Sequence, residues 1–595
     1  MSLRDILSPL TAWKNLLREP GTIKDPLNRE AADRYRGFHK NDAALCIGCG
    51  TCEAICQNAA IDMVAVDGIE TVSGNSGLRP RIDYGRCCWC ALCVDVCMTS
   101  SLTMSNHYTW VESDPDAYRF IPGVDKKAWD SCEKGYTRAE GHRLTPTKRA
   151  HMGEMEPEQR IGGFAEIVNG YSVEEALAEA DRCVSCGLCI ATCPAHMSIP
   201  RYIEAVRDGD YTRGVSLLYE TNPFSQVCGR VCTHKCEDAC ASAHEGEAIA
   251  IRWLKRHITD NATAADFQQA AGTAAPATGK RVAIIGAGPA GLTTAFDLAK
   301  MGHAVEIFEA RPHAGGMFRY GIPEYRLPYD VMDRDIQVIL DMGAQLHCNT
   351  RVGESITMEQ LREQFDAVAL CIGLHLGRGT RIPGSEHPAV TKAVDLLRDI
   401  TEGKEVVVPE KLVVIGGGNV AMDIARSMGR LQTQRYGKLD VTVTALEDRA
   451  HFLADPDEIR ECGEEGIAIY DARGPREIVL DDNGGLVGLK TFKVLSIFDK
   501  DGRFAPSYDE SDARIHHADM VVEAIGQMSD VSLLGEALTE ALEWNRGRIK
   551  ADADGCTSEP WLWAAGDCVH GPDVIHAVAD GHRVAASVDA YLKGA

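Results

Sequence analysis

Short apolar runs that end in glycine punctuate the second half of the chain. Val282-Ala-Ile-Ile285 runs into Gly286, Leu412-Val-Val-Ile415 into Gly416, and Met520-Val-Val-Glu-Ala-Ile525 into Gly526. Such runs, closed by a turn signal, read as buried strands, and the first two lead into helix-like sequence. Between about 160 and 260 the periodicity is helical instead. At the N-terminus Leu3, Ile6, Leu7, Leu10, Trp13 and Leu17 recur at helical spacing, with Pro9 weakening the start. They predict an amphipathic helix that packs on its own domain or docks on a partner. No stretch of about eighteen apolar residues occurs, so no membrane span is predicted. The Ala/Thr-rich stretch from Asn261 to Lys280 reads as a linker.

Length and charge narrow the picture. A chain of 595 residues carries roughly four domains. The formal net charge of −25 argues against nucleic acid and anionic lipid surfaces, and it permits a basic protein partner. The start Met1-Ser2-Leu3-Arg4 is not that of a signal peptide, so a cytoplasmic setting is expected.

Cysteine placement changes the picture most. Of 23 cysteines, 18 lie at or before Cys240. The spacing C-x-x-C-x-x-C-x-x-x-C occurs at Cys46/Cys49/Cys52/Cys56, at Cys87/Cys90/Cys93/Cys97 and at Cys183/Cys186/Cys189/Cys193. Cys228, Cys232, Cys236 and Cys240 form a fourth group. Such runs wrap thiolates around [4Fe–4S] clusters, the fourth cysteine reaching a neighbouring cluster. A disulfide framework is disfavoured in a long, leaderless chain, and zinc prefers separated C-x-x-C pairs. The remaining cysteines, with Cys88 and Cys132, read as small core residues. In the first two runs Cys46, Cys49, Cys52 and Cys97 are assigned to one cluster, and Cys87, Cys90, Cys93 and Cys56 to the second. Gln57 and Met98 replace the usual proline after the fourth cysteine. This region resembles bacterial two-cluster ferredoxins, especially the ferredoxin-like subunit of respiratory NADH dehydrogenases.

The third and fourth groups, with Pro194 and Thr221-Asn-Pro-Phe224 between them, resemble the cysteine-rich helical domain of the glutamate synthase small subunit and the N-terminal domain of dihydropyrimidine dehydrogenase. The resemblance implies Cys183, Cys186, Cys189 and Cys240 on one cluster, and Cys193, Cys232 and Cys236 on another. In those relatives a Glu or Gln of the next helix completes the second cluster. Here Lys255 stands there, and a protonated lysine cannot ligate. Either Cys228 substitutes, or it is a bystander and the site has three thiolates. Four clusters are expected in all.

The glycine turns point to nucleotides. In Gly286-Ala-Gly288-Pro-Ala-Gly291 the first glycine permits the turn, the second lets the backbone approach a pyrophosphate, and the third allows close helix–strand packing. Glu309, at the end of the next strand, is placed to accept from a ribose hydroxyl. A second copy reads Gly416-Gly-Gly418-Asn419-Val420-Ala421. Two dinucleotide sites suggest FAD first and nicotinamide second. With Trp563-Ala-Ala-Gly566-Asp567, the region from about Gly162 to Ala595 resembles the glutamate synthase small subunit family of flavoproteins. There the nicotinamide domain is inserted into the FAD domain, and the resemblance implies FAD contacts from Gly315, Gly316, Met317 and Asp567, the last on the ribityl chain. NADP-using members carry two arginines after the second strand of the inserted domain. Glu447 fills that place here and would repel a 2′-phosphate, so NAD(H) is expected over NADP(H), with Arg449 the competing group. No C-x-x-C or C-x-x-x-x-C follows either glycine motif, and Cys568 has no neighbouring cysteine in sequence. No general acid or base stands out, and no catalytic side chain is nominated.

The expected fold is multidomain: an extension (1–40), an α+β two-cluster ferredoxin (41–110), a connecting segment (111–160), an α-helical iron–sulfur domain (161–260), a linker (261–280) and two Rossmann-like α/β domains. Of these, FAD takes 281–393 and 513–595, and NAD(P)(H) takes 394–512. The function implied is electron transfer between NAD(H) and ferredoxin, or a partner such as a 2-oxoacid:ferredoxin oxidoreductase, through FAD and [4Fe–4S] clusters in a hetero-oligomer. The alternatives are the NADPH-fed small subunit of a glutamate synthase-type complex and a non-catalytic relay scaffold on a vestigial flavin fold.

Overall fold

The computed structural model describes residues 7–19, 21–22, 29–571 and 573–594. It divides into two compact units, Met1–Lys148 with Ala241–Glu247, and Arg149–Cys240 with Ala248–Ala595.

In the first unit, His39–Asn41 pairs antiparallel with Leu102–Met104. A three-stranded sheet joins Ile61–Ala65, Leu78–Asp83 and Arg119–Phe120. The apolar positions of these strands enclose an aromatic core in which Trp129 stacks on Phe38 with ring centroids 4.4 Å apart. Trp129 comes from the connecting segment, which the sequence left without a role. Only Ser8–Asn15 of the expected N-terminal helix is helical, as a tight 3₁₀ turn around Pro9. Leu7, Leu10, Trp13 and Leu17 are all exposed among the described residues. Leu3 and Ile6 lie outside the described residues.

In the second unit, short helices from Pro157–Arg160 to Ile251–Asn261 and the turns between them carry the third and fourth cysteine groups. The stretch expected as a linker contains the helix Ala264–Ala271. Thr263 and Asp266 form a capping box at its start, and Phe267 and Ala271 are buried beneath it. Polar composition hid a helix that two side chains anchor.

Two parallel five-stranded sheets follow. The first runs Leu562–Ala564, Ala367–Leu370, Arg281–Ile285, Ala304–Phe308, Gln345–His347. The second runs Val390–Lys392, Met520–Glu523, Leu412–Ile415, Val441–Thr444, Ala468–Tyr470. Their central strands are buried on both faces and therefore read as unbroken apolar runs. Met520–Glu523, assigned from sequence to the returning half of the FAD domain, pairs instead with Leu412–Ile415 and Val390–Lys392. An antiparallel sheet of Arg473–Leu480, Leu486–Phe498 and Phe504–His517 was not foreseen. One continuous core runs from the cysteine-bearing helices to the first sheet, joining Cys189, Cys193, Cys232 and Cys240 to Val282 and Ile284. Among the described residues no helix is long and apolar enough to cross a membrane.

Candidate functional site

The three cysteine runs share one backbone shape. In each, the second and fourth residues after the first cysteine, and the third after the last, have left-handed φ angles. These are Gly48, Gly50 and Ala59; Trp89, Ala91 and Ser100; and Ser185, Gly187 and His196. Six of the nine are not glycine, a strain of about 1–3 kcal/mol each that persists where function demands it. The reversals aim backbone N–H groups at sulfur: Trp89 N lies 3.4 Å from Cys87 Sγ, and Ala60 N lies 3.3 Å from Cys56 Sγ.

Thiols from separate cysteine runs influence one another. Burial, and then Cys49, Cys93, Cys46 and Cys97, push the Cys52 thiol well above its ordinary value. Burial, and then Cys87, Cys90 and Cys56, push Cys93 up to about 12. Cys189 rises through burial, then Cys186, Cys183 and Cys240. Cys236 rises through burial and Cys232, with Cys193 also contributing and Lys255 opposing. Such thiols stay protonated unless a metal displaces the proton. Among the described residues no three Cys, His, Asp or Glu side chains converge as a single metal ion requires. Grouped thiols are the donors that a [4Fe–4S] cluster takes.

Lys255 is buried among Cys193, Cys228, Cys232 and Cys236. Burial works against its charge, but Cys232, Cys228, Cys193 and Cys236 together hold its pKa above the usual lysine value. Cys228 is completely buried on the helix Ser225–Val231, with Lys255, Cys232, Asn222 and Asp335 around it. Asp335 caps this helix, accepting from Gln226 N and Val227 N at 3.1 Å and from Gln226 Nε2 at 2.9 Å. Cys88, read as a core residue, is exposed.

A cavity opens at the carboxyl ends of the first sheet, where open α/β sheets bind ligands. Gly286, Gly288, Glu309, Gly316, Met317, Gly566 and Asp567 line it. At Gly286 (φ +102°) a Cβ would lie 2.5 Å from Cys371 O, and at Gly316 (φ +53°) 2.8 Å from Gly288 Cα. A Cβ on Gly288 would meet nothing closer than 3.8 Å, so that backbone faces open space a ligand can fill. Gly291 serves packing: its Cβ would strike Gly286 O at 2.1 Å. Glu309 Oε2 accepts from Ala287 N and Oε1 from Arg311 N, both at 2.8 Å, which ties the acid to the turn. Burial, with Asp573 and Asp580 nearby, pushes Asp567 up to about 6. Gly315 stands behind the wall, its Cβ direction blocked by Met332 Sδ at 2.8 Å. Cys371 lies near Cys568, so that thiol has a spatial neighbour the sequence did not reveal. The geometry suits a dinucleotide.

Two further elements reach the same cavity. Asn419, Val420 and Asp423 enter from the second glycine turn, and Val231 and Thr233 flank Cys232 in its wall. At the second turn, Gly416 packs against Ala524 O, and nothing lies within 4 Å of a Cβ on Gly418. A Cβ on Gly417 would be 3.1 Å from Glu447 Oε2, so that carboxylate overhangs the turn.

Sequence reasoning missed a buried ion network beside the cavity. Arg326 binds both oxygens of Asp423 at 2.8 and 2.9 Å and Glu458 at 2.7 Å. Arg426 pairs with Glu458, Glu461 and Glu465, and Arg430 with Glu465, all at 2.7 Å. Both guanidiniums lie over the Tyr325 ring, Arg430 3.8 Å from its centroid. The spacing Asp423/Arg426/Arg430 on one helix was the available signal.

Grouped thiols and a dinucleotide cavity define the class as an iron–sulfur flavoprotein. Residues 280–581 match the family model described as pyridine nucleotide-disulphide oxidoreductase. Residues 160–267 match dihydropyrimidine dehydrogenase domain II, 4Fe-4S cluster, and 45–101 the 4Fe-4S dicluster domain. The chain belongs to the pyridine nucleotide-disulphide oxidoreductase family. It is 37% identical over 431 residues to the NADP(+)-dependent formate dehydrogenase subunit beta of Moorella thermoacetica, covering 68% of this chain but only 60% of that relative's length. It is 32% identical to the glutamate synthase [NADPH] small chain of Halomonas elongata, over 74% of this chain and 97% of that one. It is 33% identical to the NAD-dependent dihydropyrimidine dehydrogenase subunit PreT of Escherichia coli K12, over 72% and 97%. The chain joins a pyridine nucleotide-disulphide oxidoreductase module to two 4Fe-4S modules, the make-up of an iron–sulfur flavin oxidoreductase.

Proposed function

We propose that the chain passes electrons between NAD(H) and ferredoxin, or a larger oxidoreductase such as a 2-oxoacid:ferredoxin oxidoreductase, as one subunit of a hetero-oligomer. The observation that carries this reading is the Val231–Thr233 loop, which walls the nucleotide cavity while bearing Cys232. When bound, FAD supplies the conversion between hydride and single electrons, and the clusters supply one-electron carriage. The residues of the chain hold and orient these groups. Gly286, Gly288 and Gly316 leave room for a pyrophosphate, Glu309 accepts at a ribose, and Asp567 meets the ribityl chain. Gly416, Gly418, Asn419 and Val420 cradle the nicotinamide nucleotide. Cys46, Cys49, Cys52 and Cys97, then Cys56, Cys87, Cys90 and Cys93, then Cys183, Cys186, Cys189 and Cys240, and finally Cys193, Cys232 and Cys236 hold four clusters.

The overhang of Glu447 on the second turn supports NAD(H), because its carboxylate repels a 2′-phosphate and accepts from a 2′-hydroxyl. Arg449 keeps a second reading in play, an NADPH-fed small subunit of a glutamate synthase-type complex. It sits exposed two residues on, and two of the three relatives described above carry NADP in their names. Anaerobic mixing with NADH, then with NADPH, tests both. Rapid bleaching of the flavin band by NADH and slow bleaching by NADPH is expected. The reverse order favours the second reading, and no bleaching by either leaves a non-catalytic relay scaffold.

A further inference from the structure

The stretch Glu447–Asp455 links the strand Val441–Thr444 to the helix Pro456–Glu464. It is fastened onto the second glycine turn. Ala454 N donates to Gly417 O at 3.1 Å, and Asp455 N donates to Asn419 Oδ1 at 2.7 Å. A Cβ on Gly417 would meet Glu447 Oε2 at 3.1 Å and Phe452 Cδ1 at 3.5 Å. The carboxylate that overhangs the turn and the groups that hold the turn thus belong to one piece of chain. Gly418, on the same turn, stays open, with nothing within 4 Å of a Cβ. One part of the turn is clasped and the other is left for a ligand.

Asp455 fastens the far end of this piece. Its Oδ1 accepts from Asp457 N at 3.0 Å and caps the helix Pro456–Glu464. Its Oδ2 lies 3.2 Å from His234 Nε2 and 3.8 Å from Arg252 Nη1, both from the helical segment. Arg252 Nη2 lies 3.4 Å from Asp457 Oδ2. Arg252 is buried, so its charge depends on these carboxylates more than on water. Asp455 therefore ties the glycine turn, through Asn419, to the helical segment.

We propose that Glu447–Asp455 is a clasp that holds the second glycine turn in its nucleotide-binding shape and sets Glu447 over it, and that Asp455 is the positioning residue that fixes the clasp. The inference rests on the proposed nicotinamide site at this turn. A loop held beforehand in its bound conformation loses less entropy when ligand arrives, so a loose clasp weakens binding. A loose clasp also frees Glu447, and discrimination between a 2′-hydroxyl and a 2′-phosphate fades with it. In this account the Asn419 oxygen acts as the pin of the clasp, and neither it nor the Asp455 side chain touches the nucleotide.

The test is calorimetric titration of the oxidised, full-length holoprotein with NAD⁺ and with NADP⁺, so that no turnover enters, together with hydrogen exchange of the peptide spanning 447–455. Asp455→Asn keeps the helix cap and the backbone donor but removes the charge that Arg252 and His234 face. It is expected to speed exchange in the clasp, weaken the preferred nucleotide several-fold and bring the two dissociation constants closer together, with flavin and iron content unchanged. Asn419→Ala removes the pin and should weaken the preferred nucleotide at least tenfold. Asn419→Asp keeps an acceptor for Asp455 N and should recover most of that loss. Unchanged affinity and unchanged discrimination in Asp455→Asn overturn the proposal, as does Asn419→Asp binding no better than Asn419→Ala. If Asp455→Asn loses flavin or iron, the comparison of the two Asn419 variants decides alone. Wild-type protein that binds neither nucleotide overturns the nicotinamide reading and the clasp with it, whereas normal wild-type binding with unmoved variants overturns the clasp only.

Discussion

Removing Arg326 should cost more as the solution becomes more alkaline. Its side chain is 11% exposed and lies between Asp423 (3%) and Glu458 (9%). Glu458 keeps Arg426 at 2.7 Å when Arg326 is gone, but Asp423 loses the cation that binds both of its oxygens. Breaking a buried pair from one side costs about 3–5 kcal/mol. Burial already pushes Asp423 up to about 6, with Arg326 opposing that rise, so Arg326→Met drives it further up. An acid whose folded pKa exceeds its unfolded value of about 3.9 binds more protons when folded, and its contribution to stability falls as pH rises through that window. The penalty should therefore be small near pH 5 and grow by up to about 1.4 kcal/mol per pH unit until Asp423 ionises. The pair Arg326→Met/Asp423→Leu removes both charges and should recover most of the loss at every pH. Hydrogen-exchange mass spectrometry on the helix Asn419–Tyr436, corrected for intrinsic exchange, reads the local opening energy without assuming one two-state transition. A penalty that stays flat between pH 5 and 8, or lies below about 1 kcal/mol, refutes the argument.

Cys46→Ser and Cys97→Ser should abolish the same spectroscopic signal, and Cys56→Ser the one lost with Cys87→Ser; pairing by sequence run instead would overturn the crossed assignment. Gly288→Val should fold with its iron in place but bind FAD at least tenfold more weakly, read as flavin per protein after gel filtration, because its side chain enters the open cradle. Asp335→Ala should destabilise the second unit by about 2–4 kcal/mol, since it leaves two backbone N–H groups and an amide of the helix Ser225–Val231 without an acceptor. Urea unfolding checks it, and a midpoint within error of wild type removes Asp335 from the account. Glu447→Ser should raise activity with NADPH relative to NADH by at least tenfold, and an unchanged ratio sinks the coenzyme argument.

The strands before Gly286 and Gly416 were legible because burial on both faces erases alternation and leaves a bare apolar run. The cysteine runs were legible because ligation fixes spacing. What stayed hidden depends on partners distant in sequence. Trp129 reads as an isolated aromatic until Phe38 stacks on it. Met520–Glu523 has the same run of residues whichever sheet receives it, and only its pairing with Leu412–Ile415 decides. The left-handed angles at Trp89, Ala91 and Ser185 carry no compositional mark, since glycine is absent there. The helix Ala264–Ala271 was masked by alanine and threonine, although Thr263 and Asp266 spelled its cap.

The Val231–Thr233 loop has a consequence for how the protein matures. One short turn both walls the cavity and bears Cys232, a thiol proposed as a cluster ligand. On the proposed ligation of Cys232, iron and sulfide would also brace the wall beside it. On that reading, flavin is expected to be held tightly only after the helical segment is loaded. Oxidative damage should run the same sequence backwards, so that a cell losing iron from this one turn also releases flavin from a domain whose own residues are intact.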